Sequence, residues 1–268
     1  MKLFYRRSGI GPYLIILHGL YGSSDNWISI SRRLSDIFTV ILPDQRNHGL
    51  SPHSDIHNYN ALSEDLFELT EELKIERFVL AGHSMGGKTA MNFALRWPEK
   101  LDGLLVADIS PLAAGKNTEK EYRQHTHILN AIIAADLSNA SRREEVESLI
   151  SGSIPSRRIR ELIMKNLQRN PDRSFRWKLN AQALLSNLDS IMGEIDPEHL
   201  YSKSVTGFPV VFLKGGLSDY ISHESFEEIR KIFPAADFRE IMDAGHWIQT
   251  DRPDEVINNL RSFIWHNG

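Results

Sequence analysis

The stretch FVLAGHSMGGKTAMNFALRW, residues 78–97, constrains the fold more than any other part of the chain. Phe78-Val79-Leu80-Ala81 is a brief apolar run that stops at a glycine, the pattern of a buried parallel strand. From Lys88 the period changes. Ala90, Met91, Ala94 and Leu95 recur at helical spacing until Trp97-Pro98 ends the run. Between the two lies Gly82-His83-Ser84-Met85-Gly86, a G-x-S-x-G on a strand-to-helix turn. Such a turn has no room for side chains two residues before or after the serine, and it holds the serine in a strained backbone with its hydroxyl above the sheet. On the order of 0.1 such matches would arise by chance in a chain of this size at average composition. Agreement of the motif with strand, turn and helix makes coincidence rarer still. Ser84 reads as a nucleophile.

A serine hydroxyl is a weak nucleophile at neutral pH, so Ser84 needs a base, an acid to orient that base, and an oxyanion hole. His246 is the candidate base: in Asp243-Ala244-Gly245-His246-Trp247 it follows the last expected strand, in the order Ser…Asp…His that this arrangement uses. The other ten histidines lack that position; His18 and His83 flank the site and suit structural hydrogen bonds, and His48, His125 and His127 have no placement that singles them out. The oxyanion donors are expected to be the N–H groups of Met85 and of Leu20, the latter after His18-Gly19 at a strand end. For the acid, two residues compete. Asp219 follows the strand nearest the last one, while Asp108 follows the strand after the serine turn and reaches the imidazole from the other side. Asp44, with Arg46, sits beyond the sheet centre and reads as structural.

Apolar runs at Leu3–Tyr5, Tyr13–Leu17, Phe38–Leu42, Leu104–Ala107, Val210–Leu213 and Phe238–Met242 supply the other strands, alternating with helical patterns such as Leu62, Leu66, Leu69 and Leu73. This is an α/β chain with a mostly parallel central sheet flanked by helices. The alternation stops after Asp108. Residues 112–204 show helical patterns, clearest over Tyr122–Ala135 and Glu144–Ile150, and no convincing strand. They read as a helical cap inserted into a core of residues 1–111 and 205–268. Aromatics in that otherwise polar insertion, Tyr122, Phe175 and Trp177, are candidate walls of a substrate pocket.

Composition narrows the class. With 31 Lys+Arg against 35 Asp+Glu the net charge is −4, too balanced for a nucleic-acid partner. The absence of cysteine excludes disulfides, thiol catalysis and cysteine-bound metals. The N-terminus lacks a signal-peptide pattern and no apolar run would span a bilayer, so a cytoplasmic protein without a membrane partner is expected. No cofactor or metal is expected, and oligomeric state is not legible.

HGLYGSSDNW, PDQRNHGLS, GHSMGGK, ADISP and AGHWIQTDRP together resemble the α/β-hydrolase superfamily over nearly the whole chain, and the YbfF-type esterases within it. Phe175-Arg176-Trp177-Lys178-Leu179-Asn180 is similar to an aromatic-basic stretch of that group. The resemblance implies Ser84 as nucleophile, His246 as base and Asp108 as acid, with a small-molecule carboxyl ester, or an acyl thioester, as substrate. One departure stands: Asp219 occupies a position where the group often has no aspartate, which keeps the choice of acid open. Fold alone would not assign the chemistry. Dehalogenases and epoxide hydrolases of this architecture need a carboxylate where Ser84 stands. Carbon–carbon bond hydrolases, a lyase and a low-turnover small-molecule receptor are the competing readings.

Overall fold

The computed structural model describes residues 1–113, 118–195, 200 and 204–266. Parts of the expected insertion, residues 114–117, 196–199 and 201–203, lie outside them.

Seven strands form one sheet. They are β1 (Tyr5–Ser8), β2 (Tyr13–Leu17), β3 (Thr39–Pro43), β4 (Phe78–His83), β5 (Leu101–Ala107), β8 (Val210–Gly215) and β9 (Ala236–Ile241), in the spatial order β1-β3-β2-β4-β5-β8-β9. Every pairing is parallel except β1 with β3. The apolar runs are continuous because both faces are covered, and alternate residues serve opposite faces. Ile15, Leu80, Leu104 and Phe212 join one cluster with α2 (Tyr59–Glu72), α3 (Met85–Arg96) and α9 (Ser225–Ile232). Leu14, Val79, Leu105 and Val211 join another with α1 (Ile28–Leu34), α10 (Ile248–Asp251) and α11 (Pro253–Arg261). The leucines of α2 at positions 62, 66 and 69 are buried as their spacing predicts.

Between β5 and β8 the chain leaves the sheet. It forms α4 (Thr118–Ala134), α5 (Arg143–Ser151), α6 (Arg157–Met164), α7 (Ala181–Ser186) and α8 (Leu188–Met192) around a third apolar cluster. Contrary to the expectation of no strand there, β6 (Leu167–Arg169) and β7 (Phe175–Trp177) pair as an antiparallel hairpin. Its loop is closed by Asn170 N–H to the Ser174 carbonyl at 2.8 Å, with Asp172 accepting from Ser174. Strands of three residues are too short to show a period of two in the sequence.

Among the described residues no helix is long and apolar enough to cross a membrane.

Candidate active site

The turn after β4 is as tight as its glycines imply. A Cβ on Gly82 would fall 2.2 Å from the Gly86 carbonyl oxygen, and one on Gly86 would fall 2.5 Å from that of His18. Ser84, between them, takes φ 53° and ψ −122°, a conformation unfavourable for a residue with a Cβ. Its N–H bonds the Ala107 carbonyl at 3.1 Å, tying the turn to the end of β5. Met85 opens α3, so its N–H belongs to the first turn, where amides have no intrahelical acceptor. Gly19 touches the same turn: a Cβ there would lie 3.1 Å from the Ser84 Cβ. Leu20, Ser84, Met85 and His246 all border one cavity of about 380 Å³.

At the end of β5, Asp108 is fully buried and its Oδ2 lies 2.9 Å from His246 Nδ1. Asp108 Oδ1 accepts the Gly215 N–H at 2.9 Å, and Ser218 Oγ donates to Oδ2. With the carboxylate as acceptor, His246 carries its proton on Nδ1, leaving Nε2 as the basic nitrogen. The imidazole stacks on Tyr220, ring centroids 3.8 Å apart at 20°. Asp219 stands at the cavity border, exposed, between the two residues that do reach the pair. The structure therefore brings Asp108 to His246, and Ser218 and Tyr220 rather than Asp219. Nothing in the sequence singled out Ser218 or Tyr220; neighbours in a loop differ in facing, not in composition.

Burial holds the two histidines that flank the site, His83 and His18, neutral. His83 lies 4.7 Å from His246, centroid to centroid, and donates from Nε2 to the His246 carbonyl at 2.7 Å. Burial first, then proximity to His246, pushes its pKa well below the ordinary value. His18 donates from Nδ1 to the Gly19 carbonyl and accepts the Gln45 N–H at Nε2, 3.0 Å away. Asp44 accepts from the N–H groups of Ser24 (2.6 Å) and Leu50 (2.8 Å) and serves the loops around it. Arg46 pairs with Asp65 instead, at 2.6 Å.

From the insertion the cavity is bordered by Glu121, His125, Ile128, Ile159, Leu162, Ile191 and Met192, and from α3 by Lys88. Lys88 Nζ bonds the carbonyls of Leu112 (2.9 Å) and Gly193, and burial brings its pKa down to about 7. Glu121 Oε2 is buried with no hydrogen-bond partner among the described residues, and burial raises its pKa.

The three aromatics expected to wall the pocket do not reach it. Tyr122, Phe175 and Trp177 pack on the insertion's own apolar cluster. Phe175 and Trp177 are two apart in β7, so they share a face, while Arg176 between them is exposed. Tyr122 turns its hydroxyl to Asp189. The insertion's apolar contribution to the cavity wall is aliphatic, and the aromatics that border the cavity, Tyr21, Trp27, Tyr59, Tyr220 and Trp247, come from the core instead. Among the described residues no group of three or more His, Cys, Asp or Glu side chains is arranged to hold a metal ion.

Residues 12–253 match the model of a family described as alpha/beta hydrolase fold. The chain is 34% identical over 266 residues to the sn-1-specific diacylglycerol lipase ABHD11 of Xenopus tropicalis, covering 97% of this chain and 80% of that protein. It is 29% identical over 252 residues to esterase YbfF of Escherichia coli strain K12, covering 94% and 92%. Among solved structures a marine microorganism esterase is similar with a TM-score of 0.90 at 42% identity, covering 98% of this chain and 99% of that one. The chain belongs to the α/β-hydrolase family, and within it stands beside esterases and lipases.

Proposed function

We propose that this protein is a serine carboxylesterase that works through an acyl-enzyme. The observation that carries the reading is the hydrogen bond from His246 Nδ1 to the buried Asp108, which leaves His246 Nε2 free beside the cavity that Ser84 also borders. Ser84 Oγ attacks the acyl carbonyl carbon while His246 Nε2 takes its proton. The N–H groups of Leu20 and Met85 hold the oxyanion. The intermediate collapses, the bond to the leaving oxygen breaks, and His246 returns the proton to that oxygen. Water then attacks the acyl-enzyme with His246 again as base, releasing the acid and restoring Ser84. Asp108 holds the imidazole in the right tautomer and offsets the charge it gains.

The aliphatic wall of Ile128, Ile159, Leu162, Ile191 and Met192 favours an apolar acyl group. The relatives named esterase and lipase support a carboxyl ester over the carbon–carbon bond and lyase chemistries. Acyl thioesters react by the same steps, with sulfur as the leaving atom. The test is turnover of p-nitrophenyl esters of graded chain length, beside acyl-CoA thioesters, by wild type and Ser84→Ala. Wild-type ester turnover that Ser84→Ala abolishes is expected; most of the activity persisting in the folded variant would overturn the serine mechanism.

A further inference from the structure

The Leu20 N–H sits in a four-residue turn, Gly19-Leu20-Tyr21-Gly22, closed by the Gly22 N–H to the Gly19 carbonyl at 3.0 Å. Tyr21 is the third residue of that turn and has φ 63°, where glycine is the usual occupant. A tyrosine stays there only if its surroundings over-determine it. Three groups from outside the turn do so, one for each polar atom of Tyr21.

The Tyr21 N–H donates to His48 Nε2 at 3.3 Å; His48 Nδ1 donates to the Arg46 carbonyl at 2.9 Å, which fixes Nε2 as the acceptor. The Tyr21 carbonyl accepts from Asn166 Nδ2 at 2.7 Å. The Tyr21 hydroxyl lies 2.9 Å from His125 Nδ1. Burial pushes the phenol well above its ordinary pKa and brings His125 down to about 4, so at neutral pH an uncharged phenol and an uncharged imidazole share this hydrogen bond. Asn166 follows α6, and His125 lies on α4; both belong to the insertion. Tyr21 itself, 4% exposed, is counted in the insertion's apolar cluster rather than in either cluster of the sheet.

We infer that Asn166 and His125 are positioning residues: through Tyr21 they lock the turn that aims the Leu20 N–H at the oxyanion, so the insertion completes the oxyanion hole as well as covering the cavity. The inference rests on the serine-esterase reading. It explains why Asn166, 2% exposed and away from the cavity, spends its amide on a core-loop carbonyl. Oxyanion donors must be aimed at where charge develops in the transition state, and loss of one donor costs on the order of 10²–10³ in kcat. Loosening the turn should forfeit part of that. Because the ground-state carbonyl uses the donor little, KM should stay nearly constant.

The test compares wild type, Asn166→Ala, Tyr21→Phe and Ser84→Ala on p-nitrophenyl butyrate, with inhibition by a trifluoromethyl ketone as a probe of the tetrahedral state. Asn166→Ala is expected to lower kcat roughly 10- to 100-fold with KM within about twofold, and to weaken the ketone in parallel. Tyr21→Phe, which keeps the ring and loses only the link to His125, should show the same split at about 3- to 10-fold. It carries the test alone if Asn166→Ala does not fold. A raised KM with unchanged kcat, or a lower melting temperature with kcat and ketone affinity both intact, would overturn the inference while leaving the serine reading untouched. Activity that survives in Ser84→Ala overturns the serine reading itself, and this inference with it.

Discussion

Asp108→Asn separates orientation of the imidazole from every other property of the site. The carboxylate has two occupied ends: Oδ1 accepts the Gly215 N–H, and Oδ2 accepts from His246 Nδ1 and Ser218. An asparagine has the same shape but only one oxygen. If that oxygen keeps the Gly215 N–H, the amide nitrogen faces His246 and donates to Nδ1, so the imidazole proton moves to Nε2 and the nitrogen facing the cavity is no longer a base. The opposite flip sets two N–H donors against each other in a fully buried site, at a cost of about 1–3 kcal/mol for an unsatisfied group. The wrong tautomer therefore wins. The same exchange in a serine-protease triad costs roughly 10⁴ in kcat, or about 5.4 kcal/mol of transition-state stabilisation at 1.36 kcal/mol per tenfold. Asp219→Asn, in an exposed residue at the cavity border, should stay within about threefold, as expected of a group outside the hydrogen-bonded unit. Steady-state kcat on a p-nitrophenyl ester at pH 7–8, with folding checked by circular dichroism, decides it. A loss under tenfold in Asp108→Asn, or a severe loss confined to Asp219→Asn, would refute the assignment of the acid.

Trp177→Ala should cost about 2 kcal/mol of stability, as for a partly buried large side chain, and leave chain-length preference unchanged; a shifted preference would contradict its place in the insertion's own cluster. Ile191→Trp, by contrast, narrows the cavity, and should move the preferred ester to shorter acyl chains; an unchanged preference would remove Ile191 from the acyl wall. His57 is fully buried, and burial first, then Arg46 and His18, holds its pKa down to about 3. Unfolded it returns to about 6.5, so unfolding takes up a proton in between. Its contribution is complete above pH 6.5 and lost as pH falls towards 3, with a slope of up to about 1.4 kcal/mol per pH unit. Urea titrations at pH 7, 6 and 5 should show a smaller slope in His57→Gln than in wild type, and equal slopes would count against it.

The parts of this molecule that were legible in its sequence are those where one residue type is sterically required. Gly82 and Gly86 announce the serine turn because any Cβ there would meet backbone. The central strands β2, β3, β4 and β8 announce themselves because both their faces are covered. The edge strands carry exposed polar residues, and the expected Leu3–Tyr5 strand overlaps the observed β1 only at Tyr5. His246 could be chosen among eleven histidines because its loop directly follows the last strand, in the chain order Ser…Asp…His that this fold uses. The choice between Asp108 and Asp219 was not legible, because it depends on backbone direction: Asp108 takes φ 52°, and the loop after β8 turns Ser218 and Tyr220 towards His246. Composition carries no such angular information. In the insertion, helices of five to eight residues and strands of three give too few periods to read, so β6 and β7 escape a reading of the sequence. The aromatics of β7 were assigned to the wrong surface for the same reason. His48 and His125 looked unremarkable because their partner, Tyr21, is distant in sequence and its φ is invisible there.

The acyl-enzyme on Ser84 is tested most directly by rapid-quench kinetics joined to intact-protein mass spectrometry with a slowly deacylating p-nitrophenyl ester. The expected result is a burst of about one p-nitrophenolate per protein molecule, as acyl-enzyme accumulation requires. A matching mass increase of one acyl group should map to the peptide containing Ser84 and be absent from Ser84→Ala. Hydrolysis of the same ester with no burst and no adduct, or an adduct mapping to any other residue, would contradict it.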